Sequence, residues 1–351
     1  MSLEIPSKYK KAVFESYNSK AKFVDGKIPE IAADEVLVKV LYAGVCHTDL
    51  AVLSNELPWP TPFPYVGGHE GSGIVVKAGA SVTHLTPGAK VGIRIVNGMC
   101  NQCESCLNNR EFICIKQKMV GIFLDGTYQQ YTALKAQDLV LLPENIDLAI
   151  AAPITCAGVT AYRGIKRGNP VVGQFIAVIG AGGGVGSFAV QYAQAFGLRV
   201  IAIDHPSKKE HCLKMGAEGF VDGFNEDLVT EVQKLTNGGA HIVLNFSASA
   251  MAVEKALQYV RVAGTLVLIG AMDDKKGKIV QMDNNLVASR CITITGSMTG
   301  TRQDTLEALD LVARGVVKIP VEVKSFSALD ESLANLKNST VAGRVVLDLW
   351  K

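Results

Sequence analysis

The sequence predicts an α/β chain of two domains, a doubly wound parallel sheet and a β-rich part. Three observations predict it. Residues 175–204, FIAVIGAGGGVGSFAVQYAQAFGLRVIAID, read as strand, glycine turn, helix, strand and acid. Strand-like and helix-like stretches then alternate as far as residue 296. Residues 1–146 instead carry short strands broken by proline and glycine. At 351 residues the chain is long enough to bury two cores.

Phe175 to Ile179 is a short apolar run, fit for a buried parallel strand. Gly180, Gly182, Gly183, Gly184 and Gly186 make a turn with no side chains in the way. From Val185 onward the spacing is helical, with Phe188, Ala189, Tyr192 and Phe196 on the same side as Val185. A second strand, Arg199 to Ile203, ends at Asp204. This is the order of a Rossmann unit, in which bare backbone approaches a pyrophosphate and the helix start offers free N–H groups. Asp204 stands where a carboxylate accepts both hydroxyls of an adenosine ribose. It would repel a 2′-phosphate, so NAD(H) is favoured over NADP(H), although His205, Lys208 and Lys209 soften the preference. The strict G-x-G-x-x-G pattern asks for glycine at 181, where Ala181 stands; Gly180, Gly183 and Gly186 give G-x-x-G-x-x-G instead. A glycine-rich turn in another α/β protein is the plainer alternative.

Lys and Arg total 35 and Asp and Glu 33, a formal charge of +2, which argues against a nucleic-acid partner or a polybasic membrane anchor. Nothing approaches a run of 18 uncharged apolar residues, so no membrane span is expected. The start, MSLEIPSKYKKAVF, has no apolar core of a signal peptide, and a cytoplasmic location is expected. Of eight cysteines, four fall between 100 and 114, which favours metal over disulfides.

Taken in order, Phe14–Val24 and Glu35–Tyr42 read as strands. Cys46, His47, Thr48 and Asp49 then crowd four reactive side-chain types together, and Gly67-Gly68-His69-Glu70-Gly71 forms a second cluster. Between them, SNELPWPTPFPYV is a proline-rich loop whose Trp59, Phe63 and Tyr65 can line a pocket or simply anchor it. Gly73–Val76 and Lys90–Val96 read as strands split by a Thr86-Pro-Gly88 turn. Cys100-x2-Cys103-x2-Cys106-x7-Cys114 is the strongest local motif: four thiolates suit tetrahedral zinc, and a polar lobe, residues 97–115, would take its folding energy from the metal. An iron–sulfur cluster, or thiols without metal, are the competing readings. A site of four sulfurs has no open position and is structural.

Gly121–Gln130 reads as turn and strand, and Asp147–Ala152 as the start of a helix followed by Pro153. Cys156 is the one remaining cysteine in a polar setting; Cys212 and Cys291 read as small apolar residues. Helices at 208–215, 226–235 and 251–260 alternate with strands at 219–221, 240–246, 264–270 and 292–296, completing six strands. Phe246, Ser247, Gly270 and Met298 fall at strand ends, where ligands bind in such sheets. Gln303–Arg314 reads as a helix with Leu306, Leu309, Val312 and Ala313 on its apolar face. The tail from Val345 to Trp350 reads as a strand that can return to the first domain.

CHTDL at 46–50, VGGHEG at 66–71, the four-cysteine lobe, APITCAG at 152–158, GGVGS at 183–187 and AGRVVLD at 342–348 span nearly the whole chain. Jointly they resemble the zinc-dependent medium-chain alcohol dehydrogenases, in particular the tetrameric fungal type. The resemblance implies a GroES-like catalytic domain at 1–156, an NAD-binding Rossmann domain at 157–299, and a segment, 300–351, returning to the catalytic domain. It implies two zinc ions per subunit, the catalytic one on Cys46, His69 and Cys156 with Glu70 close behind. Asp49 would orient His69, and Thr48 would take the alcohol's proton. His47 and Arg344 would contact the pyrophosphate, Asp204 the ribose, and Lys208 or Lys209 would stand beside it. Alcohols and aldehydes would be the substrates, and a homotetramer the assembly.

Two departures from that type stand out. Where it carries a histidine to end a proton relay, this chain has Ala51. Where it carries two pocket tryptophans, this chain has Leu57 and Ile95, with Trp59 nearby, which implies a wider pocket together with Met298. An aldehyde or ketone reductase, or a secondary alcohol dehydrogenase, is the alternative enzyme. A retired enzyme kept as a structural protein is the alternative from another class.

Overall fold

The computed structural model describes residues 4–270, 279–338 and 340–351. The chain divides into two compact units. One comprises Met1–Cys156, Thr301–Ala313 and Pro320–Lys351; the other comprises Ala157–Gly300 and Arg314–Ile319.

The second unit is built on a six-stranded parallel sheet. Across it the strands run Gly219–Asp222, Arg199–Asp204, Phe175–Ile179, Ala240–Asn245, Val260–Leu268 and Thr293–Gly296. That is the order 3-2-1-4-5-6 of a doubly wound Rossmann sheet. All five residues of Phe175–Ile179 are buried, because helices cover both faces of a parallel sheet. Phe175–Ile179 and Ala240–Asn245 flank the point where the order reverses, so the glycine turn and Phe246 both leave the sheet there.

The first unit is organised on the long strand Glu35–Val45. It pairs with Glu70–Ala78 on one side, and with both Arg344–Asp348 and Tyr131–Lys135 on the other side of the ladder. The last strand of the chain thus pairs antiparallel with the end of Glu35–Val45, setting Val345 against Val45. Phe14, Val38, Val91, Ile93 and Leu347 belong to one buried core beneath this sheet.

Several sequence expectations are corrected. Phe14–Val24 is not one strand; Lys8–Val13 and Lys22–Lys27 pair antiparallel, and polar residues turn the chain between them, with Asn18 at φ 57°. Gly121–Gln130 is turn rather than strand, since Gly126 donates its N–H to the Val66 carbonyl at 2.7 Å, and the strand is Tyr131–Lys135. Pro153 does not end the helix begun at Leu148. The next five residues, Ile154–Gly158, take the wider π turn, and the helix resumes over Val159–Arg167. A proline has no N–H to give an α-helical ladder, and such wide turns recur at functional sites. By length and composition alone this Leu148–Arg167 run could cross a membrane, but 72% of its most apolar window is buried inside the protein, as in a core helix.

Helix Arg302–Ala313 buries Asp304, Thr305, Ala308 and Leu309. Leu306 is 38% exposed, so the expected apolar face is rotated toward Ala308 and Leu309. A paired test follows from that rotation. Leu309→Ala should cost about 2–5 kcal/mol of unfolding free energy, as a buried large-to-small change. Leu306→Ala should cost under about 1 kcal/mol. Equal losses in chemical denaturation would show that the helix is misoriented.

Candidate active site

Strand Glu35–Val45 delivers Cys46 to the start of helix His47–Leu53, and Gly67–Gly68 delivers His69 to the start of strand Glu70–Ala78. The π turn carries Cys156. Ligand atoms of Cys46, His69, Glu70 and Cys156 all lie within 4.8 Å of one another. His69 Nε2 is 3.3 Å from Cys156 Sγ. On the far side of the ring, Nδ1 is 2.8 Å from Asp49 Oδ1. With a carboxylate there, Nδ1 is the protonated nitrogen and Nε2 is free to coordinate. Asp49 Oδ2 also accepts the Cys46 N–H at 3.0 Å.

Burial opposes charge on His69, but the neighbouring Asp49 outweighs it and holds the imidazole well above its ordinary range. Its hydrogen bond to Cys156 holds the Cys46 thiol well below the usual range, and the same contact together with burial pushes Cys156 up. Coordination requires a neutral imidazole and thiolates, so loading this site releases protons. Glu70 is fully buried, and burial pushes its carboxyl up to about 8 against the pull of Arg344. The Arg344 guanidinium donates to Glu70 Oε2, while Oε1 has no hydrogen-bond partner among the described residues. Two thiols, an imidazole and an orphaned carboxylate oxygen suit zinc as a donor set.

The second cluster is the four-cysteine lobe. Sulfur separations are 3.5 Å for Cys114–Cys100, 3.9 Å for Cys103–Cys114 and 4.0 Å for Cys100–Cys106. A zinc tetrahedron with bonds of about 2.3 Å has edges of about 3.8 Å, so these sulfurs fit one. They are far too distant for disulfides, and all eight cysteines are free. Backbone N–H groups of Cys103 and Lys116 donate to Cys100 and Cys114 sulfurs at 3.3 and 3.4 Å, and backbone N–H contacts hold the Cys100 thiol down at about 6.

In the other unit the glycine turn is compact. A Cβ on Gly186 would stand 2.1 Å from the Gly180 carbonyl oxygen, so only glycine lets helix Gly184–Ala195 start so close to the strand. Gly180 itself holds φ at 80°. Gly183 is the N-cap, and Val185 lies in the first turn of the helix. Asp204 Oδ2 accepts the Gly182 N–H at 2.8 Å, which locks the acid to the turn. Lys208 lies over Gly182, whereas Lys209 is exposed. Ser247 Oγ is held by Asn245 at 2.8 Å, and Gly270 leaves no room for a Cβ beside the Ser247 carbonyl.

Other expected site residues are more scattered. Thr48 Oγ1 is 3.8 Å from Cys46 Sγ, and His47 is exposed. Leu57 and Ile95 are half-buried against the same core, but Trp59 is 37% exposed and meets Phe123 edge-on. Met298 belongs to the other unit and is 44% exposed. Arg344, expected on a pyrophosphate, is buried and paired with Glu70. The sequence also gave no hint of Tyr128, whose hydroxyl donates to Asp49 Oδ2 at 2.8 Å from 79 residues away.

Gly44 is required by this packing, because a Cβ there would lie 2.1 Å from Glu70 Oε2. Gly44→Ala should therefore break the Glu70–Arg344 pair and cost about 3–5 kcal/mol. Gly296→Ala, with nothing among the described residues within 4 Å, is the control and should stay within about 0.5 kcal/mol. Thermal denaturation reads both, and an undisturbed Gly44→Ala protein would contradict the packing.

Comparison with known proteins shows the family. Residues 32–144 match the alcohol dehydrogenase GroES-like domain family, and residues 184–314 the zinc-binding dehydrogenase family. The chain is 40% identical over 349 residues to alcohol dehydrogenase 1 of Caenorhabditis elegans, covering 99% of each. It is 40% identical over 353 residues to an alcohol dehydrogenase of Schizosaccharomyces pombe, covering 99% of this chain and all of that one. Among solved structures, acetophenone reductase from Geotrichum candidum in complex with NAD superposes with a TM-score of 0.86 at 29% identity, over 99% and 98% of the two chains. The chain is a member of the zinc-binding medium-chain alcohol dehydrogenase family.

Proposed function

We propose that the chain is a zinc-dependent, NAD-linked alcohol dehydrogenase interconverting primary alcohols and aldehydes. The observation that carries this reading is the convergence of Cys46, His69, Glu70 and Cys156 within 4.8 Å, with Asp49 behind the histidine. Cys46, His69 and Cys156 would hold a catalytic zinc, and Cys100, Cys103, Cys106 and Cys114 a structural one. When bound, zinc supplies Lewis acidity at the substrate oxygen and NAD supplies the two-electron acceptor.

The chain's own residues do the rest. Asp49 fixes the tautomer of His69. Arg344 anchors Glu70 through one oxygen, and the other is left without a hydrogen-bond partner among the described residues. Thr48, half-buried beside Cys46, takes the alcohol's proton on Oγ1. The glycine turn and the helix start bind the pyrophosphate. Asp204 accepts the adenosine ribose hydroxyls and repels a 2′-phosphate. Phe246, Ser247, Gly270 and Met298 border the nicotinamide half of the cofactor. We assign residues 1–156 and 300–351 to the catalytic domain, 157–299 to the cofactor domain, and the active assembly to a cytoplasmic homotetramer.

From Thr48 the proton would pass to the nicotinamide ribose, and Ala51, which stands where a histidine would end the relay, is buried and cannot accept it. Water would carry the proton onward. Ala51→His should then raise turnover near neutral pH, since a positioned acid–base group contributes up to about 10²–10⁴-fold. An unchanged pH–rate profile would rule this route out.

Leu57 and Ile95 leave a pocket that accepts alcohols longer than ethanol. A buried methylene is worth about 1–3 kcal/mol in discrimination. With NAD, kcat/KM should hold or rise from ethanol to butanol and benzyl alcohol, and NADP should be the poorer cofactor. A steep fall with substrate size would contradict the wide pocket, and no NAD-linked turnover would contradict the function. The reductive direction is the second reading, favoured by the likeness to an acetophenone reductase. Faster aldehyde or ketone reduction than alcohol oxidation would select it.

A further inference from the structure

Tyr128 is fully buried, and its hydroxyl has one well-placed acceptor. The bond to Asp49 Oδ2 is 2.8 Å; the alternative, the Gly44 carbonyl, stands at the 3.5 Å limit. A hydroxyl this deep is costly unless bonded, so a residue needed only for bulk would be better served by a plain ring. Burial also pushes the phenol well above its ordinary range, so it donates and does not ionise.

The ring itself is fixed. Tyr128 donates its N–H to the Gly67 carbonyl at 3.0 Å, and its own carbonyl accepts from Ala12 at 2.9 Å. Gly68, at φ 89°, leaves the ring no spare room, since a Cβ there would stand 2.8 Å from Tyr128 Cδ1. Tyr128 therefore packs on the segment that leads into His69 while its hydroxyl holds the carboxylate that orients His69. That same carboxylate takes the Cys46 N–H. Three donors thus converge on Asp49: His69 Nδ1, Cys46 N–H and Tyr128 O–H.

We propose that Tyr128 is a positioning residue for the metal centre, acting through Asp49 to hold both His69 and the Cys46 segment in coordinating geometry. The inference rests on the reading of Cys46, His69 and Cys156 as zinc ligands. Without the hydroxyl, Asp49 Oδ2 keeps a single donor and the carboxylate is free to rock. His69 then loses its fixed orientation, and metal should leave more easily.

The test compares the zinc-loaded wild type, Tyr128→Phe, Asp49→Asn and the double variant. Zinc release into excess chelator is followed by a colorimetric indicator, and the catalytic ion is recognised by the turnover lost in step with it. Tyr128→Phe should release that ion about 10-fold faster, the scale of losses on removing an outer hydrogen-bond partner. Release from the four-cysteine lobe should not change. In the Asp49→Asn background, removing the hydroxyl should add no further acceleration. Cobalt-substituted Tyr128→Phe should also show shifted visible bands relative to wild type. Unchanged release and spectrum in Tyr128→Phe would overturn the proposal while leaving the zinc reading intact. So would a full acceleration that persists with Asn at 49, or failure of Tyr128→Phe to fold, since either makes the hydroxyl a packing element. A wild-type chain holding only the lobe zinc would overturn the metal reading and this proposal with it.

Discussion

The centre of this molecule depends on one buried carboxylate. Asp49 accepts from the Cys46 backbone, the His69 ring and the Tyr128 hydroxyl at 2.8–3.0 Å. Those donors come from a helix start, a strand start and a turn distant in sequence. The ligand set is therefore more than three side chains that happen to meet. Its geometry is set by an acceptor that satisfies all three segments, in surroundings where an unpaired charge would be costly. Cys46 and His69 are each one residue from secondary structure that the core holds rigid.

A second buried carboxyl group, Glu70, is balanced differently. Arg344 meets one of its oxygens, and the strand carrying Arg344 pairs directly with Glu35–Val45. Glu35–Val45 also leads to Cys46, so sheet register fixes the spacing between guanidinium, carboxylate and thiol. Replacing such a pair with apolar residues is often tolerated, whereas removing one partner is expensive. Its retention beside a ligand cluster, with one oxygen unsatisfied, makes sense if that oxygen faces a cation.

What the sequence revealed follows the range of each interaction. The glycine turn was legible because strand, turn, helix and acid lie within thirty consecutive residues, and steric need at Gly186 is local. The cysteine lobe was legible for the same reason. Cys156 was different: it lies 87 residues from His69, and only resemblance to a family joined them. Nothing local connected Arg344 to Glu70, 274 residues away, or Tyr128 to Asp49. Pro153 misled because a proline normally stops a helix, while here a π turn absorbs it and presents Cys156. Leu306 misled because helical spacing gives a face but not its rotation; the burial of Asp304 and Thr305 decides that.

The most direct measurement is zinc per chain in the wild type, Cys156→Ser and Cys103→Ser proteins, read by elemental analysis on folded material alongside NAD-linked alcohol oxidation. The expected result is two zinc ions in the wild type. Cys156→Ser should keep its fold, retain the lobe zinc and lose turnover; Cys103→Ser should lose the lobe zinc. One zinc in the wild type that Cys156→Ser leaves unchanged, or undiminished turnover in Cys156→Ser, would contradict a catalytic zinc on Cys46, His69 and Cys156.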